Sequence, residues 1–283
     1  TEYNAHVVLH DQQRLADRHV ADAREAPEDR LRGDEVVYHE PGGGYVRPER
    51  CVEAQLMLAR RHGAVVRPNT QVAAITRDGA GVRVTTTAGD SFTAAEAVLA
   101  AGAWSPGLAG GALAPHMAVT RQVLHWWVPQ DPAAFTPDRC PVYIWMHGDG
   151  PEDSFYGFPT PPGTEGVKVA MEQYSAIVGD PDHLQRGVTP HEVAAMHRDH
   201  LAPRMPGLLP QVFRSAVCPY TMTPDGDFLV ARLPDNDRVL LVSACSGHGF
   251  KHSAGLGEAV AEMMTGSRAA TLAPFTATRL VAA

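Results

Sequence analysis

Cysteine, positive charge and long apolar runs are all scarce in this sequence. Its 283 residues include four cysteines, and none has the C-x-x-C spacing of a zinc or redox site. Its 14 histidines form neither H-E-x-x-H nor H-x-H, which gives metal catalysis little support. Lysine and arginine number 24 against 32 acidic residues, a formal net charge of -8. Neither nucleic acid nor an anionic membrane surface is therefore an expected partner.

Targeting and spanning segments are not evident either. No apolar run approaches the roughly 20 residues that span a bilayer, and the first residues lack the basic and apolar regions of a signal peptide. These features predict a cytoplasmic protein with reduced thiols and no membrane partner. The chain begins at Thr1 without a methionine, so we expect a segment upstream of it.

Apolar periodicity predicts many strands and few helices. Helices are predicted over residues 12–26, 48–62, 191–201 and 253–264, and in the second of them Leu56, Leu58 and Ala59 are expected to face inward. The predicted strands are residues 5–9, 65–67, 72–77, 82–87, 95–100, 120–128, 141–146, 155–158, 166–172, 212–221, 227–231 and 239–243. A β-rich middle with α/β flanks indicates two structural layers traced by one chain.

Two glycine-containing turns follow buried strands. Ser246-Gly247-His248-Gly249-Phe250-Lys251 lies between a predicted strand and a helix, and Ala101-Gly102-Ala103-Trp104 follows another predicted strand. Free N–H groups at a helix start suit a phosphate or a flavin ring edge, and Lys251 adds a charge suited to a carboxylate. The alternative is a turn whose glycines only tighten packing.

Three further features each allow two interpretations. Lys168 in an alternating strand faces either solvent or a site that stabilises its charge. Cys218 is either a small buried hydrophobe or a thiolate that bonds to a cofactor. Four aromatic residues form either plain core or a cage for an amine: Trp145, Tyr156, Phe158 and Tyr220.

The order of these motifs resembles that of the monomeric sarcosine oxidase and N-methyltryptophan oxidase family, within the D-amino-acid oxidase superfamily. The motifs, in chain order, are Ala101-Gly-Ala-Trp104, Thr120-Arg-Gln-Val123, Tyr156-Gly-Phe-Pro159 with Gly166-Val-Lys168, Arg214-Ser-Ala-Val-Cys218-Pro-Tyr-Thr221 and Ser246–Lys251. The resemblance covers residues 40–264. It implies α/β and α+β parts, with an FAD-binding Rossmann-like domain interleaved with a substrate domain on a mixed, largely antiparallel sheet.

Residue roles follow from the resemblance alone. It implies FAD bound covalently through Cys218, oxygen activation by Lys168, and binding of the substrate carboxylate by Lys251 near His248. Tyr156 and Tyr220 would line the substrate cavity. The remaining cofactor contacts would come from Val72, Gly102, Ala103, Trp104, Ser246, Gly247, His248, Gly249 and Phe250.

The resemblance is incomplete at the N-terminal end, where the family has a βαβ unit with G-x-G-x-x-G. Gly42-Gly43-Gly44 does not replace it. Residues 40–112 and 227–275 are therefore expected to be the remaining parts of an incomplete FAD-binding domain, with residues 1–39 and 113–226 as the substrate domain. The sequence leaves open whether the chain is truncated or cannot hold FAD normally. Glu172 replaces a family histidine, which favours a substrate with an extra positive charge.

These features predict an FAD-dependent oxidoreductase acting on the CH–NH group of a secondary or N-methylated amine, with imine and hydrogen peroxide as products. The amine and oxygen are the expected partners of a monomeric, cytoplasmic enzyme, and no metal is expected. Two alternatives remain: a flavin dehydrogenase or tailoring oxidase of a cyclic amine, and a cofactor-free remnant that acts as a binding module.

Overall fold

The computed structural model describes residues 6–11, 35–40, 42–150, 152–267 and 269–281. Its strands are β1 (His6–Asp11), β2 (Glu35–Glu40), β3 (Val72–Asp78), β4 (Gly81–Thr86), β5 (Ser91–Ala94), β6 (Ala97–Leu99), β7 (Ala118–Pro129), β8 (Val142–Met146), β9 (Ser154–Phe158), β10 (Val167–Ala170), β11 (Ile177–Val178), β12 (Leu208–Met222), β13 (Leu229–Leu233) and β14 (Asn236–Ser243). The helices are α1 (Pro48–Arg61), α2 (Ser105–Ala109), α3 (Pro190–Met196), α4 (Ser253–Met264) and α5 (Thr278–Val281). No helix in these ranges is long and apolar enough to cross a bilayer.

The chain divides into two units. The first comprises Thr1–Tyr45, Arg121–Ala176 and Leu184–Cys218, and the second comprises Val46–Thr120, Ile177–His183 and Pro219–Ala283. The largest sheet has the order β11-β7-β10-β9-β8-β1-β2, with β12 also paired to β7. Its pairs are antiparallel at β7–β10, β10–β9, β9–β8 and β1–β2, and parallel at β1–β8. The prediction of a mixed, largely antiparallel sheet is confirmed.

One face of this sheet forms the core of the first unit. Burial alternates along β9 and over Val167–Val169 of β10, because successive side chains of a strand point to opposite faces. The buried face packs against α3 and the π-helical turn His197–Leu201 that continues it. Its core comprises Trp127, Trp145, Phe155, Val167, Val169, Met196, Leu201 and Met205. The opposite face is only half-buried.

The second unit is built from two three-stranded sheets, β13-β14-β6 and β3-β4-β5. Strand β14 contains the continuous apolar run Val239–Val242, as expected for a strand covered on both faces. One face contributes Val239 and Leu241 to a core shared with Val82 of β4 and Leu99 of β6. The other face contributes Leu240 to a second core with Ala259 of α4.

Most predicted elements are confirmed, and two expectations are wrong. Residues 65–67 form no strand, since none of the described strands pairs with them. Leu56 and Leu58 of α1 do not face inward: they are 39% and 48% exposed, and α1 has no buried residue. Strand β10 is also shorter than expected, ending at Ala170. The predicted helix over residues 12–26 lies outside the described residues.

Candidate functional site

The two glycine-containing turns meet at one edge of a sheet in the second unit. Strand β14 runs parallel to β6, with Leu241 opposite Leu99. Both strands therefore end at the same edge, and residues 101–104 and 244–251 follow them there. Carboxyl ends of parallel strands are where α/β sheets present backbone to a ligand. The structure thus brings together two motifs that are more than 140 residues apart in sequence.

Backbone hydrogen bonds hold the turn between β14 and α4 in place. Ser246 (φ 39°) and Gly247 (φ 79°) have left-handed conformations, and the Ser246 N–H donates to the Thr221 carbonyl at 3.0 Å. The Gly249 N–H donates to the carbonyl of Cys245 at 2.9 Å. A Cβ on Gly249 would lie 1.7 Å from the carbonyl oxygen of Ala244. Glycine is required at position 249 because the backbone approaches so closely.

His248 has a fixed tautomer when it is neutral. Its Nδ1 lies 2.8 Å from the carbonyl oxygen of Ser246, and a carbonyl can only accept, so Nδ1 carries the proton. The ring stacks on buried Phe228, with centroids 4.9 Å apart. Nε2 is then the atom that can accept a hydrogen bond or a proton. Lys251 is exposed in the first turn of the helical segment that leads into α4.

The other turn presents backbone through Gly102 (φ 54°), a conformation that favours glycine. Ala103 is buried beneath it. The Trp104 indole Nε1 donates to the Asp182 carboxylate at 2.8 Å, which holds a 40% exposed ring in place. Val72 begins β3 in the other sheet of this unit, opposite Thr86. Its predicted contact with the cofactor stays a prediction.

In the first unit, Lys168 lies on the half-buried face of the sheet. Its Nζ is 4.9 Å from the ring centroid of Phe158 and 5.8 Å from that of Trp126, the residues opposite it on β9 and β7. The guanidinium carbon of Arg214 also lies over a ring of this group, 3.7 Å from the centroid of Trp126. We call this surface of Trp126, Tyr156, Phe158 and Lys168 the aromatic face. Cations over aromatic rings are attracted to their electron-rich centres.

The proposed aromatic cage is corrected in one member. Trp145 is fully buried and stacks on Phe155 in the core, on the side of the sheet opposite Tyr156. Tyr156 does lie on the aromatic face, with its ring edge-on to Phe158 at 6.0 Å. Tyr220 is half-buried in β12, in residues that belong to the second unit. Aromatic composition alone does not separate the two faces of a strand, whereas the fold buries Tyr143 and Trp145 of β8 in the core.

Cys218 lies half-buried in β12, within the first unit. None of the four cysteines, all of which lie in the described ranges, forms a disulfide. Trp126 of the aromatic face, and Arg214 that lies over its ring, were not predicted as site residues. The two lysines of the sequence, Lys168 and Lys251, were both predicted as site residues.

Three histidines, one buried and two half-buried, lie in or beside the largest sheet. His125 is 2% exposed with its Nδ1 2.8 Å from the Ser215 hydroxyl, and burial lowers its pKa to about 4, against a smaller opposing effect of Glu192. Burial also lowers the pKa of His147 to about 4, and it lowers the pKa of His200. The Nε2 of His147 lies 3.0 Å from the Nδ1 of His200. These side chains are neutral in the folded protein near pH 7.

We predict that stability falls as the pH falls from 6.5 towards 4. Unfolded histidine takes up a proton near pH 6.5, whereas folded His125 does so only near pH 4, so the unfolded state binds more protons in this window. His125 alone should account for a loss of about 3 kcal/mol in the free energy of unfolding. Urea unfolding at several pH values measures this. His125→Gln should flatten the pH dependence. An unaltered slope in His125→Gln would contradict the assignment.

Comparisons with known proteins identify the family of this chain. Residues 3–263 match the model of the FAD dependent oxidoreductase family. The chain is 38% identical over 254 residues to monomeric sarcosine oxidase of Streptomyces avermitilis, covering 88% of the chain and 65% of that protein. It is 29% identical over 259 residues to N-methyl-L-tryptophan oxidase of Salmonella typhimurium, covering 89% of the chain and 66% of that protein.

Solved structures show the same fold. NikD, described as an unusual amino acid oxidase essential for nikkomycin biosynthesis, matches with a TM-score of 0.70 at 20% identity, over 88% of this chain and 70% of that one. Fructosamine oxidase (Amadoriase II) of Aspergillus fumigatus matches with a TM-score of 0.73 at 18% identity, over 98% of this chain and 71% of that one.

The match to the family model over residues 3–263 identifies the chain as a flavoprotein, which belongs to the FAD dependent oxidoreductase family. Within that family it is similar to the monomeric sarcosine oxidases. The chain spans about 65% of the length of the curated relatives that it matches.

Proposed function

We propose that the whole protein is a flavin-dependent oxidase of a secondary or N-methylated amine, with an amino acid as the substrate class. The observation that carries this proposal is the shared edge of β6 and β14, where two glycine turns present backbone beside His248 and Lys251. Similarity to sarcosine and N-methyltryptophan oxidases supports the substrate class. The enzyme is proposed to be monomeric and cytoplasmic.

The residues present fit an FAD at this edge. Gly102 and Gly247 have left-handed backbone, and a Cβ at Gly102 would meet no atom within 4 Å, so the turn is open to a ligand. The first N–H groups of the helical segment after Gly249 have no intrahelical acceptor and favour an electron-rich group. We propose Gly102, Ala103, Trp104 and Ser246–Lys251 as cofactor contacts, and Val72 as a backbone contact to the adenine side.

The overall reaction converts R–NH–CH₃ and O₂ into R–N=CH₂ and H₂O₂, and water then releases the amine and formaldehyde. Bound FAD would supply the two-electron acceptor that links the amine to oxygen. The protein's residues bind and orient: Lys251 pairs with the substrate carboxylate, and Tyr156 and Tyr220 line the space around the amine. The Nδ1 of His248 is engaged by the Ser246 carbonyl, so its Nε2 is the ring atom that can face the substrate.

Lys168 is proposed to stabilise the negative charge that develops on oxygen. A fixed cation in a partly desolvated site stabilises developing charge far more than a cation in water. Phe158 and Trp126 hold its ammonium group in place.

Hydrogen peroxide release with N-methylated amino acids, in protein that carries FAD, tests this function. A rise in peroxide that depends on the amine supports an oxidase. Reduction of the flavin by the amine without any peroxide in air would instead identify a dehydrogenase.

We expect Cys218 to hold the flavin through a thioether. Acid precipitation of the native protein should leave the yellow colour in the pellet, and Cys218→Ser should release it to the supernatant. Cys245→Ser is the matched control and should keep the colour in the pellet. Colour lost to the supernatant from the native protein would refute the covalent bond.

A further inference from the structure

The aromatic face borders a carboxylate that the proposed reaction does not use. Glu172 follows β10 by two residues, so it continues the side of the strand on which Lys168 lies. It is half-buried and accepts a hydrogen bond from the hydroxyl of Tyr174. Burial first, and then Glu172, raise the pKa of Tyr174, and Tyr156 adds to the effect. Tyr174 therefore lies within electrostatic range of Tyr156.

This carboxylate stands on a firmly held piece of chain. Buried Gln122 donates to the Gln173 carbonyl at 2.7 Å and accepts from the Gln173 N–H at 2.8 Å. The side-chain oxygen of Gln173 in turn accepts from the Val123 N–H at 3.1 Å. These bonds continue the alignment of β10 with β7 beyond the end of the strand. The position of Glu172 is thus set by the fold, although residues 171–173 form no strand.

Charge and aromatic rings are arranged in order along this side. Glu172 lies four residues beyond Lys168, which in an extended chain is about 13 Å. Tyr156 is opposite Ala170 between them, and Phe158 is opposite Lys168. Lys168 therefore gives one end of this row a positive charge, and Glu172 gives the other end a negative charge. A ligand with positive charge is attracted to the anionic end and to the ring of Tyr156.

We propose that Glu172 selects substrates that bear a second, cationic amino group beside the amine that is oxidised. One oxygen of the carboxylate accepts from Tyr174, and its remaining lone pairs can accept from an ammonium group. Tyr174 stays a neutral donor because its pKa is raised, so it keeps Glu172 in place without competing for the cation. This inference rests on the proposed function and names its substrate class.

Two ligands of nearly equal size separate the charge from other effects. Nα-methyl-L-lysine and Nα-methyl-L-norleucine share a carboxylate and a methylated amine, and differ in the terminal ammonium. The enzyme should prefer the lysine compound by about tenfold or more in kcat/KM, since only its terminal ammonium can form a charge-assisted hydrogen bond to Glu172. Glu172→Gln should reduce that preference to near unity through the KM of the lysine compound. Tyr174→Phe and the surface control Glu165→Gln should retain most of it.

Tryptophan fluorescence titrations with the same two compounds give a readout that does not need turnover. Tighter binding of the lysine compound that Glu172→Gln abolishes supports the inference. Equal kcat/KM and equal binding of the two compounds would overturn it, as would a preference that survives Glu172→Gln. If no peroxide forms from either compound while the Glu172-dependent binding preference persists, the oxidase proposal fails and the binding site stands.

Discussion

Replacement of Lys168 with methionine should slow oxygen reduction by about two to three orders of magnitude, the usual cost of removing a group that stabilises developing charge. Methionine retains the length and much of the volume of the side chain, so the packing against Phe158 and Trp126 survives while the charge is lost. Amine binding should change little, because the proposed contacts to the carboxylate lie at Lys251. Rapid mixing of the reduced enzyme with oxygen measures the effect directly.

Two controls define this result. Lys168→Arg keeps the cation and should keep much of the rate. Arg214→Met removes a different cation, which lies 3.7 Å from the same Trp126 ring, and should cost far less than Lys168→Met. Oxygen reduction at the native rate in Lys168→Met would remove the lysine from the proposed chemistry. Equal losses in Lys168→Met and Arg214→Met would indicate a general effect of positive charge on this face.

The second large effect is expected at Gly249. Alanine there would place Cβ 1.7 Å from the carbonyl oxygen of Ala244, so the turn between β14 and α4 must open. We expect a loss of about 3 kcal/mol in the free energy of unfolding, at the upper end for overpacking, together with loss of bound flavin. Thermal unfolding and the visible flavin spectrum of the purified variant measure both quantities.

Helix α4 supplies matched controls for this substitution. A Cβ at Gly255 or Gly257 would meet no atom within 4 Å, and alanine is the better helix former by about 1 kcal/mol. Gly255→Ala and Gly257→Ala should therefore leave stability unchanged or raise it, with flavin retained. A Gly249→Ala variant that is as stable as these controls would contradict the close approach in the turn.

Local pattern in the sequence was sufficient to locate most elements. The helix that begins at Pro48 and the strands around Val72, Val82 and Val239 were all predicted, because each shows apolar periodicity bounded by glycine or proline. Strands that depend on partners far away in sequence were harder. Residues 65–67 have the composition of a strand, but a strand forms only where another strand pairs with it. The local sequence does not show whether such a pairing strand is present.

The site was predictable in its parts more than in its arrangement. The order of motifs made Lys168, His248 and Lys251 candidate site residues, but only the parallel register of β6 with β14 places Trp104 and His248 at one edge. The faces of the sheet were also hidden: Trp145 and Tyr156 have similar aromatic character, and only the fold puts one in the core and the other on the aromatic face. Arg214 was not predicted because the sequence around an arginine in a strand does not indicate that it packs on an aromatic ring, here that of Trp126.

An anaerobic titration of the FAD-loaded protein with an N-methylated amino acid tests the proposed function most directly. We predict that the amine bleaches the visible band of the flavin, and that admission of air restores the band with release of an equimolar amount of hydrogen peroxide. A bound flavin whose band is unchanged by every N-methylated amino acid offered would contradict the assignment of this protein as an amine oxidase.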